Sequence, residues 1–485
     1  MRKKKALRGE NLKNTSTPKP WIVTETENCD FPDERLGKRF GNLLGLISHG
    51  VGDSIPAACQ DWANTKAAYR FFSNKRVTDG VIMKGHLAAT QGRCELSSGT
   101  LLVLHDTCEF TYHRNKESEL GVIGHTASGK NKAGRPIRHT IRGVLMHSSL
   151  VITPEGLPLG LAAIKFWSRK KFKGCNARKR KFNPTRVPIK EKESARWIEN
   201  IQHSTALIGR PADCVHIGDR EADIYELFAE AAKLGTCFLV RTCVDRLIEE
   251  GNRTVAAAMN ESTVKGLHRI SVRGNDGEVR PAVMEIKYEH VLLRPPMGKR
   301  KHCPDLMLRV IHATERNVPQ GQVPICWKLL TNLPVPSLAA AIEKLTWYAL
   351  RWKIETFHKI LKSGCKAEES QLRTAPRLAN LLAALCIISW RIFWMTMLQR
   401  SATSQPASLV FTKTEIRMLD HFVKEKVTRR SAARDLSNYI IKLACLGGYL
   451  NRAKDRPPGN KVIWRGLAKL NDIQLGFDFG PKSCG

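Results

Sequence analysis

The chain has 485 residues, of which 79 are Lys or Arg and 45 are Asp or Glu, giving a formal net charge of +34. This length is enough for a large core and more than one domain. So large a positive excess repels itself unless the partner is a polyanion, and the spread of basic residues along the chain favours a nucleic acid over a membrane. The 14 cysteines are scattered without a C-x-x-C pair, which favours reduced thiols over a disulfide framework.

The N-terminal region carries the pattern of three short helices. Apolar residues recur at helical spacing between residues 36 and 47. Ser54, followed by Pro56, is expected to cap a second helix, and a third runs through residues 64–72. Three short helices with basic flanks suit either a compact DNA-binding module or an ordinary helical subdomain.

Short apolar runs from about residue 76 onwards predict a set of strands. In chain order they are Leu101–His105, Ile141–Met146, Leu150–Ile152, Leu159–Trp167, Val215–Gly218 and Thr236–Arg241. The second, third and fourth runs are expected to be antiparallel, joined by turns such as that at residues 154–156. With helical segments between them, these runs predict an α/β fold built on a mixed sheet.

Two aspartates follow apolar runs. Asp106 follows the first and Asp219 follows the fifth. Each is predicted to lie at the C-terminal end of a buried strand, although an isolated Asp there is ordinarily a turn or capping residue. Asp223, four residues after Asp219, suits a helix cap or an ion pair with an Arg better than a metal ligand.

A third carboxylate lies in the C-terminal third of the chain, in the series Tyr348, Arg351, Glu355 and Lys362. Offsets of three, seven and fourteen residues place these side chains on one face of a predicted helix. A carboxylate among two cations and a phenol suits a metal ion beside a phosphate, and a solvated charged stripe is the alternative. With the two aspartates, the set favours divalent-metal chemistry on phosphodiesters, because hard cations prefer carboxylate oxygens.

Between about residues 243 and 330, short strands alternate with Gly, Pro and Asn turns, which predicts an inserted β-rich subdomain. Helical periodicity resumes at Ser337, and residues 412–415 match a capping box. The most apolar stretch, Leu378–Trp390, is too short to span a membrane and predicts a buried helix. Gly124–Lys130 resembles a P-loop, but Asn131 replaces the required hydroxyl residue, so ATP binding is not expected.

Several stretches together resemble the DDE transposases of bacterial cut-and-paste elements, in the Tn-five-like (insertion-sequence-four) group. The matching stretches are Ala68–Phe72, Asp106-Thr107, Gly218–Asp223, Phe238–Arg241, Trp327, Tyr348-x2-Arg351-x3-Glu355-x6-Lys362 and Leu446–Gly448. The spacing from tyrosine to lysine is the specific part of this resemblance. Cys108, where the family commonly has a hydroxyl residue, and the rich basic loop around residues 169–186 depart from it.

The resemblance implies a metal-binding and catalytic triad of Asp106, Asp219 and Glu355 that uses Mg²⁺ or Mn²⁺. It implies an RNase H-like mixed-sheet catalytic core with the β-rich insertion, flanked by helical domains. It further implies a set of DNA contacts: Tyr348, Arg351, Lys362, Arg241, Trp327 and Arg70. The apolar run around Trp327 alone would place that residue in the core, whereas the matching family position stacks its indole on a flipped base.

The expected domains are an N-terminal DNA-binding domain (1–75), the catalytic core (76–375, with the insertion at about 243–330) and a C-terminal helical dimerisation domain (376–485). By resemblance, the expected partners are double-stranded transposon ends with inverted repeats, target DNA and a second copy of the chain. A hairpin intermediate, no membrane partner and a bacterial cytoplasmic location at the nucleoid are also expected. The alternatives are a structure-specific nuclease and a catalytically silent DNA-binding regulator.

Overall fold

The computed structural model describes residues 20–113, 120–130, 134, 136–169, 187–249, 252–273, 279–400, 405–424 and 435–479. Residues 170–186 of the basic loop and Asn131 lie outside the described residues. The strands are β1 Leu101–Tyr112, β2 Val122–Lys130, β3 Pro136–Ile152, β4 Pro158–Trp167, β5 Cys214–Gly218, β6 Cys237–Arg241, β7 Gly266–Arg273, β8 Val279–Leu293, β9 Leu306–Arg316 and β10 Cys326–Thr331.

The described α-helices lie before, between and after the strands in the sequence. They are α1 Trp21–Thr26, α2 Glu34–His49, α3 Ile55–Cys59, α4 Trp62–Ser73, α5 Asp79–Glu95, α6 Ala195–Ile208, α7 Tyr225–Leu234, α8 Val255–Glu261, α9 Leu338–Ala349, α10 Trp352–Lys359, α11 Ala375–Leu398, α12 Lys413–Phe422, α13 Leu436–Leu446 and α14 Asn460–Phe479. A π-helical segment, Ile360–Gly364, follows α10.

The described strands form one mixed sheet in the order β2-β3-β1-β5-β6-β10-β9-β8-β7, with β4 paired to β3. At its centre β1, β5 and β6 are parallel, and β3 pairs antiparallel with β1. The predicted α/β class with an RNase H-like mixed sheet is confirmed. The β-rich insertion continues this same sheet, because β10 pairs antiparallel with β6 and β7 to β9 extend from it.

One strand prediction is wrong. The runs Ile141–Met146 and Leu150–Ile152 belong to a single strand, β3, rather than to two strands joined by a turn. The intervening residues His147, Ser148 and Ser149 have no exposed surface. Their polarity suggested a break, but each side chain finds a hydrogen-bond partner inside the protein, so the strand passes through without interruption.

The N-terminal helices are held against α11. Phe40 and Phe71 stack with ring centroids 5.8 Å apart, and the Asn380 amide of α11 donates to the carbonyls of Phe72 and Val77 at 3.3 and 2.9 Å. Ser54 caps α3, as predicted, by accepting from a backbone N–H. One hydrophobic cluster contains side chains from these helices, the sheet and α11. The three domain ranges remain predictions.

The helix α11 is long and apolar enough to cross a membrane by length and composition alone, but 94% of its apolar window is buried inside the protein. The predicted buried helix at Leu378–Trp390 is therefore confirmed. The predicted capping box is also present, since Thr412 and Glu415 each bond the other's backbone N–H at the start of α12.

Candidate active site

The register of the central strands brings two aspartates to one level of the sheet. Leu104 of β1 pairs with Ile217 of β5. Asp106 and Asp219 each follow two residues later, beyond the point where the parallel pairing of these strands stops. Because side chains two residues apart on a strand share a face, Asp106 lies on the same face as Leu104. Both aspartates therefore emerge side by side where β5 ends.

The prediction that Asp106 ends its strand is wrong. Asp106 pairs with Ser148 of β3 in the middle of β1, which continues to Tyr112. Beyond Asp106 the alternate residues Cys108, Phe110 and Tyr112 are buried, so the strand keeps a core face after its parallel partner has ended. The carboxylate is thus held by a continuous strand rather than by a loop.

The helix α10 carries Glu355 to this place. Ile354 and Phe357 have no exposed surface and fix α10 against the core, and they leave Glu355 half-buried beside them. The Arg351 guanidinium donates to Glu355 Oε1 at 2.6 Å. Glu355 therefore reaches the aspartates already paired with a cation.

The segment that carries the tyrosine, arginine, glutamate and lysine is not the regular helix that the spacing predicts. At Leu350 and Arg351 the backbone makes i→i+3 hydrogen bonds, which separate α9 from α10. After α10, the Cys365 N–H bonds the Ile360 carbonyl in a π-type turn that contains Lys362. The backbone is wound more tightly than an α-helix before Glu355 and more widely after it. The flanking side chains therefore point in other directions than ideal helical spacing predicts.

Burial and neighbouring carboxylates disfavour the charged form of Asp106. Its pKa is raised to about 7, first by burial, with Asp219 and Glu355 adding to the effect. Arg351 and the Thr107 N–H, which donates to Asp106 Oδ1 at 2.9 Å, act in the opposite direction. Asp219 and Glu355 therefore each lie close enough to act on Asp106, and a cation would relieve this repulsion.

The raised pKa predicts a pH-dependent effect of Asp106→Asn on the metal-free protein. Because the folded pKa lies above the ordinary value of 3.8, protonated Asp106 contributes stability at low pH that is lost as the pH rises through about 7. Above pH 7 the variant should therefore be more stable than the parent, by on the order of 2–4 kcal/mol. Thermal melting in chelator at pH 5 and pH 8 measures this.

The control is Asp213→Asn, which removes a more exposed carboxylate just before β5. It should change the melting temperature little at either pH. Added Mg²⁺ should then stabilise the parent more than Asp106→Asn. A difference between Asp106→Asn and the parent that is the same at pH 5 and pH 8 contradicts the buried, shifted carboxylate.

His358 lies behind Asp106. Its Nδ1 is 3.6 Å from Asp106 Oδ2, and its Nε2 is 3.0 Å from Ser148 Oγ. Burial, with Lys362 and Arg351 nearby, lowers the pKa of His358 to about 3. The imidazole is therefore neutral at neutral pH and adds no charge to the carboxylate cluster.

Three of the residues predicted to contact DNA gather around the same carboxylates. Tyr348 is buried, and the indole of half-buried Trp327 meets its ring edge-to-face at a centroid distance of 5.4 Å. The Arg241 guanidinium donates to the Cys326 carbonyl at 2.9 Å. Burial raises the pKa of Tyr348, Arg351 and Arg241 lower it, and Asp219 raises it, so Tyr348 lies within electrostatic reach of Arg241 and Asp219.

Lys362 and Arg70 lie apart from this group. Lys362 Nζ is 3.6 Å from Glu368 Oε1 and 5.5 Å from the centroid of the Phe110 ring. Arg70 is exposed on α4, and none of the described contacts joins it to the carboxylates. The structure therefore places Lys362 beside the strand of Asp106 and Arg70 in the N-terminal helical region.

Arg196 of α6 was not found from the sequence. Its Nε donates to Thr107 Oγ1 at 3.2 Å, and its terminal nitrogen bonds Glu221 at 2.6 Å. Arg196 thereby links the strand of Asp106 to the turn that follows Asp219. The two contacts join residues that are 89 and 25 positions apart in the chain. No local sequence pattern therefore predicts them.

Asp223 forms an ion pair with an Arg, as its sequence position suggests, and two histidines are buried in the core. His105 Nε2 bonds His216 Nδ1 at 2.9 Å in the interior, on the face of β1 opposite Asp106. Asp223 pairs with Arg246 and accepts from the backbone N–H groups of Cys243 and Val244. None of these side chains is free to bind a metal ion.

The donor set of the cluster suits Mg²⁺ or Mn²⁺, which prefer carboxylate oxygens. Among the residues that the structure describes, no three acidic, His or Cys side chains converge in a ready-made metal site. Glu355 is instead paired with Arg351, and one oxygen each of Asp106 and Asp219 accepts a backbone N–H. The ligand chemistry fits the metal, and binding would require these side chains to exchange partners.

Two models of protein families match the chain. The transposase DNA-binding model covers residues 18–77, and the transposase DDE domain model covers residues 190–391. Arg70 lies within the first match, Asp219 and Glu355 lie within the second, and Asp106 precedes it. The two matches together cover more than half of the chain, which therefore carries the DNA-binding and DDE domains of a DDE transposase.

Proposed function

We propose that this transposase belongs to the Tn-five-like group, cleaves transposon ends at a metal site formed by Asp106, Asp219 and Glu355, and joins the freed 3′ ends to target DNA. The observation that carries the proposal is that Asp219 and Glu355 both lie near enough to Asp106 to raise its pKa. Two of the three carboxylates come from paired strands at the same level, and the third comes from a helix packed against one of them. A cation bound here would relieve the repulsion between these carboxylates and favour the charged form of Asp106.

The three carboxylates would hold a pair of Mg²⁺ or Mn²⁺ ions. The chemistry that such ions supply is activation of the attacking oxygen and stabilisation of the leaving one. Arg351 would bind a phosphate of the DNA. This phosphate and Glu355 would compete for the Arg351 guanidinium. Tyr348, Arg241 and Lys362 would hold phosphates on either side of the cut, so that positioning and charge neutralisation supply most of the rate.

In the proposed sequence, hydrolysis frees a 3′-hydroxyl at the transposon end. That hydroxyl attacks the opposite strand and forms a hairpin, and water reopens it. The same 3′-hydroxyl then attacks target DNA. Arg70 and its neighbours on α4 would contact the end, which agrees with the transposase DNA-binding match over this region.

The test is a time course with a labelled transposon end and a supercoiled target plasmid. The proposal expects cleavage and insertion with Mg²⁺ or Mn²⁺ and neither in chelator. Cleavage without insertion would indicate a nuclease with the same core. Binding to the end without cleavage at any divalent ion concentration would indicate a silent regulator.

We further propose that the protein acts as a homodimer on two ends, with the C-terminal helices α12 to α14 in the interface. Light scattering after size exclusion, with and without end DNA, tests this. A complex containing one protein chain per DNA end pair contradicts it.

Trp327 is proposed to receive a base flipped out of the DNA during hairpin formation. Stacking of one base is worth about 1–3 kcal/mol, so Trp327→Ala should slow hairpin formation or opening by roughly 5- to 150-fold. The first nick should be nearly unchanged. Gel separation of nicked, hairpinned and blunt products over time measures each step.

Trp197, which is 1% exposed, supplies the comparison for a tryptophan of the core. Trp197→Ala should cost about 3–5 kcal/mol of stability and depress every step together. Trp327 is only half-buried, so its truncation should cost less. If Trp327→Ala greatly lowers the melting temperature and slows every step equally, the role of Trp327 is structural.

A further inference from the structure

A row of basic side chains crosses three strands of the insertion. Lys287 of β8 pairs with His312 of β9, which pairs with Lys328 of β10. Residues directly opposite one another in a sheet project from the same face, and neighbours along a strand project from opposite faces. The row therefore lies on the face opposite Trp327.

The short helix α8 covers part of this row and leaves a groove. The groove consists of a cavity of about 550 Å³ and an adjoining one of about 180 Å³, which share Ala256, His312 and Lys328 in their walls. The larger cavity reaches Arg220 and Arg241, and the smaller reaches Lys287. The groove thus runs from Arg220 and Arg241, which follow Asp219 and end β6, to the middle of the insertion.

The cations that line the groove outnumber its carboxylates. Two carboxylates line it, but Asp245 accepts the Ala256 N–H at 2.9 Å, and Glu285 pairs with Arg316 at 3.4 Å. Among the described residues, none of its four cations lies within ion-pair distance of a carboxylate. These cations are Arg220, Arg241, Lys287 and Lys328.

His312 adds a polar atom that lacks a partner. Its Nε2 is buried and has no hydrogen-bond partner among the described residues, although it lies between the two lysines of the row. Burial, Lys328 and Lys287 lower the pKa of His312 to about 4, so the ring is neutral. A neutral imidazole beside two ammonium groups is suited to donate a hydrogen bond to a phosphate oxygen.

Arg241 connects the groove to the carboxylate cluster. It lines the larger cavity and lies near enough to Tyr348 to lower the pKa of that phenol. Arg241 pairs with Leu329 and so shares the face of Trp327. A strand that passes the carboxylates would therefore round the end of β6 at Arg241 to enter the groove on the other face. Its next phosphates would meet Lys328, His312 and Lys287 in turn.

We infer that the groove binds phosphate groups of DNA beyond the point of cleavage, with Lys287 and Lys328 as two of the contacts. The inference rests on the proposed function, because it requires the DNA to be cut at the carboxylates. The DNA beyond the cut is flanking DNA before cleavage and target DNA during joining, and both present the same phosphates.

The test is the salt dependence of binding without divalent metal, for the double variant Lys287→Gln, Lys328→Gln on an end that carries flanking duplex. Each phosphate contact contributes about 0.9 to the slope of log K against log salt for duplex DNA. Losing two should lower the slope by about 1.8. Lys287→Arg with Lys328→Arg keeps both charges and should keep the parental slope.

The matched control is Lys233→Gln with Lys301→Gln, which removes the same charge from two exposed lysines outside the groove. Its slope should stay close to the parental one. Equal changes in both double variants, or no change in the groove variant on any DNA, overturn the inference. Thermal melting of every variant checks that the fold is kept.

Two further DNAs identify the source of the phosphates. An end trimmed flush at the cleavage point should show no slope change if the groove holds flanking DNA. A precleaved end mixed with target plasmid should show a selective loss of joining if the groove holds target DNA. Binding is measured without metal and is therefore independent of cleavage. The proposed function has its own test, because persistent cleavage by Asp219→Asn would contradict it.

Discussion

Asp106→Ala, Asp219→Ala and Glu355→Ala should each abolish cleavage of a transposon end while leaving end binding largely intact. Each change removes an oxygen donor from the proposed metal site, where Asp219 and Glu355 act on Asp106. The loss should exceed the roughly 10- to 100-fold that is typical when a group supporting a metal ligand is removed. Binding should survive because the cations and the N-terminal helices remain. Gel-shift and cleavage assays on the same labelled end measure the two properties.

Asp213→Asn is the matched control for Asp219. Asp213 immediately precedes β5 and Asp219 immediately follows it, so the two carboxylates lie at opposite ends of one strand. The control should cleave at nearly the parental rate. Near-normal nicking by Asp219→Ala would remove this residue from the site, and a parallel loss of DNA binding would point to misfolding.

The local part of the candidate site could be predicted from the sequence, and its long-range part could not. The spacing of Tyr348, Arg351 and Glu355 and the apolar runs before both aspartates were readable because they depend on residues close together in the chain. Asp106 and Asp219 lie at the same level of the sheet because of the register of β1 with β5. This register pairs segments that are more than a hundred residues apart in the chain. No local pattern encodes that register.

The failed strand and helix predictions have a common physical cause. Hydropathy assigns polar residues to breaks, yet His147 and Ser149 lie inside β3 because α6 and β1 supply their hydrogen-bond partners. Ideal helical spacing likewise treats residues 348–362 as one helix. Packing against the core instead imposes i→i+3 bonds at Arg351 and a π-type turn after Ile360. Tertiary contacts decide both cases.

Asp223 lies only four residues after Asp219, a proposed metal ligand, but its own contacts are structural. Its side chain has no exposed surface, and its Oδ2 accepts from the Thr242 hydroxyl and from two backbone N–H groups at 2.8–2.9 Å. Its Oδ1 pairs with Arg246, whose side chain is 9% exposed. The carboxylate therefore fixes the loop that follows Arg241.

Asp223→Ala should destabilise the protein by about 3–5 kcal/mol, because it leaves Arg246 as a buried, unpaired charge. The donors that Asp223 satisfies would also lose their acceptor, at a cost of about 1–3 kcal/mol for a buried group. Thermal melting measures the loss, and hydrogen exchange at residues 242–244 should show that the loop opens first.

The double variant Asp223→Ala, Arg246→Met distinguishes the two roles of the residue. Removing both partners takes away the uncompensated charge, so the double variant should melt at a higher temperature than Asp223→Ala alone. Cleavage should return together with stability, since Asp219 and its partners are untouched. A metal ligand would behave differently, because Asp223→Ala would then melt like the parent, lose cleavage and gain nothing from the change at Arg246. That outcome would indicate that Asp223 is part of the metal site and does not support the loop.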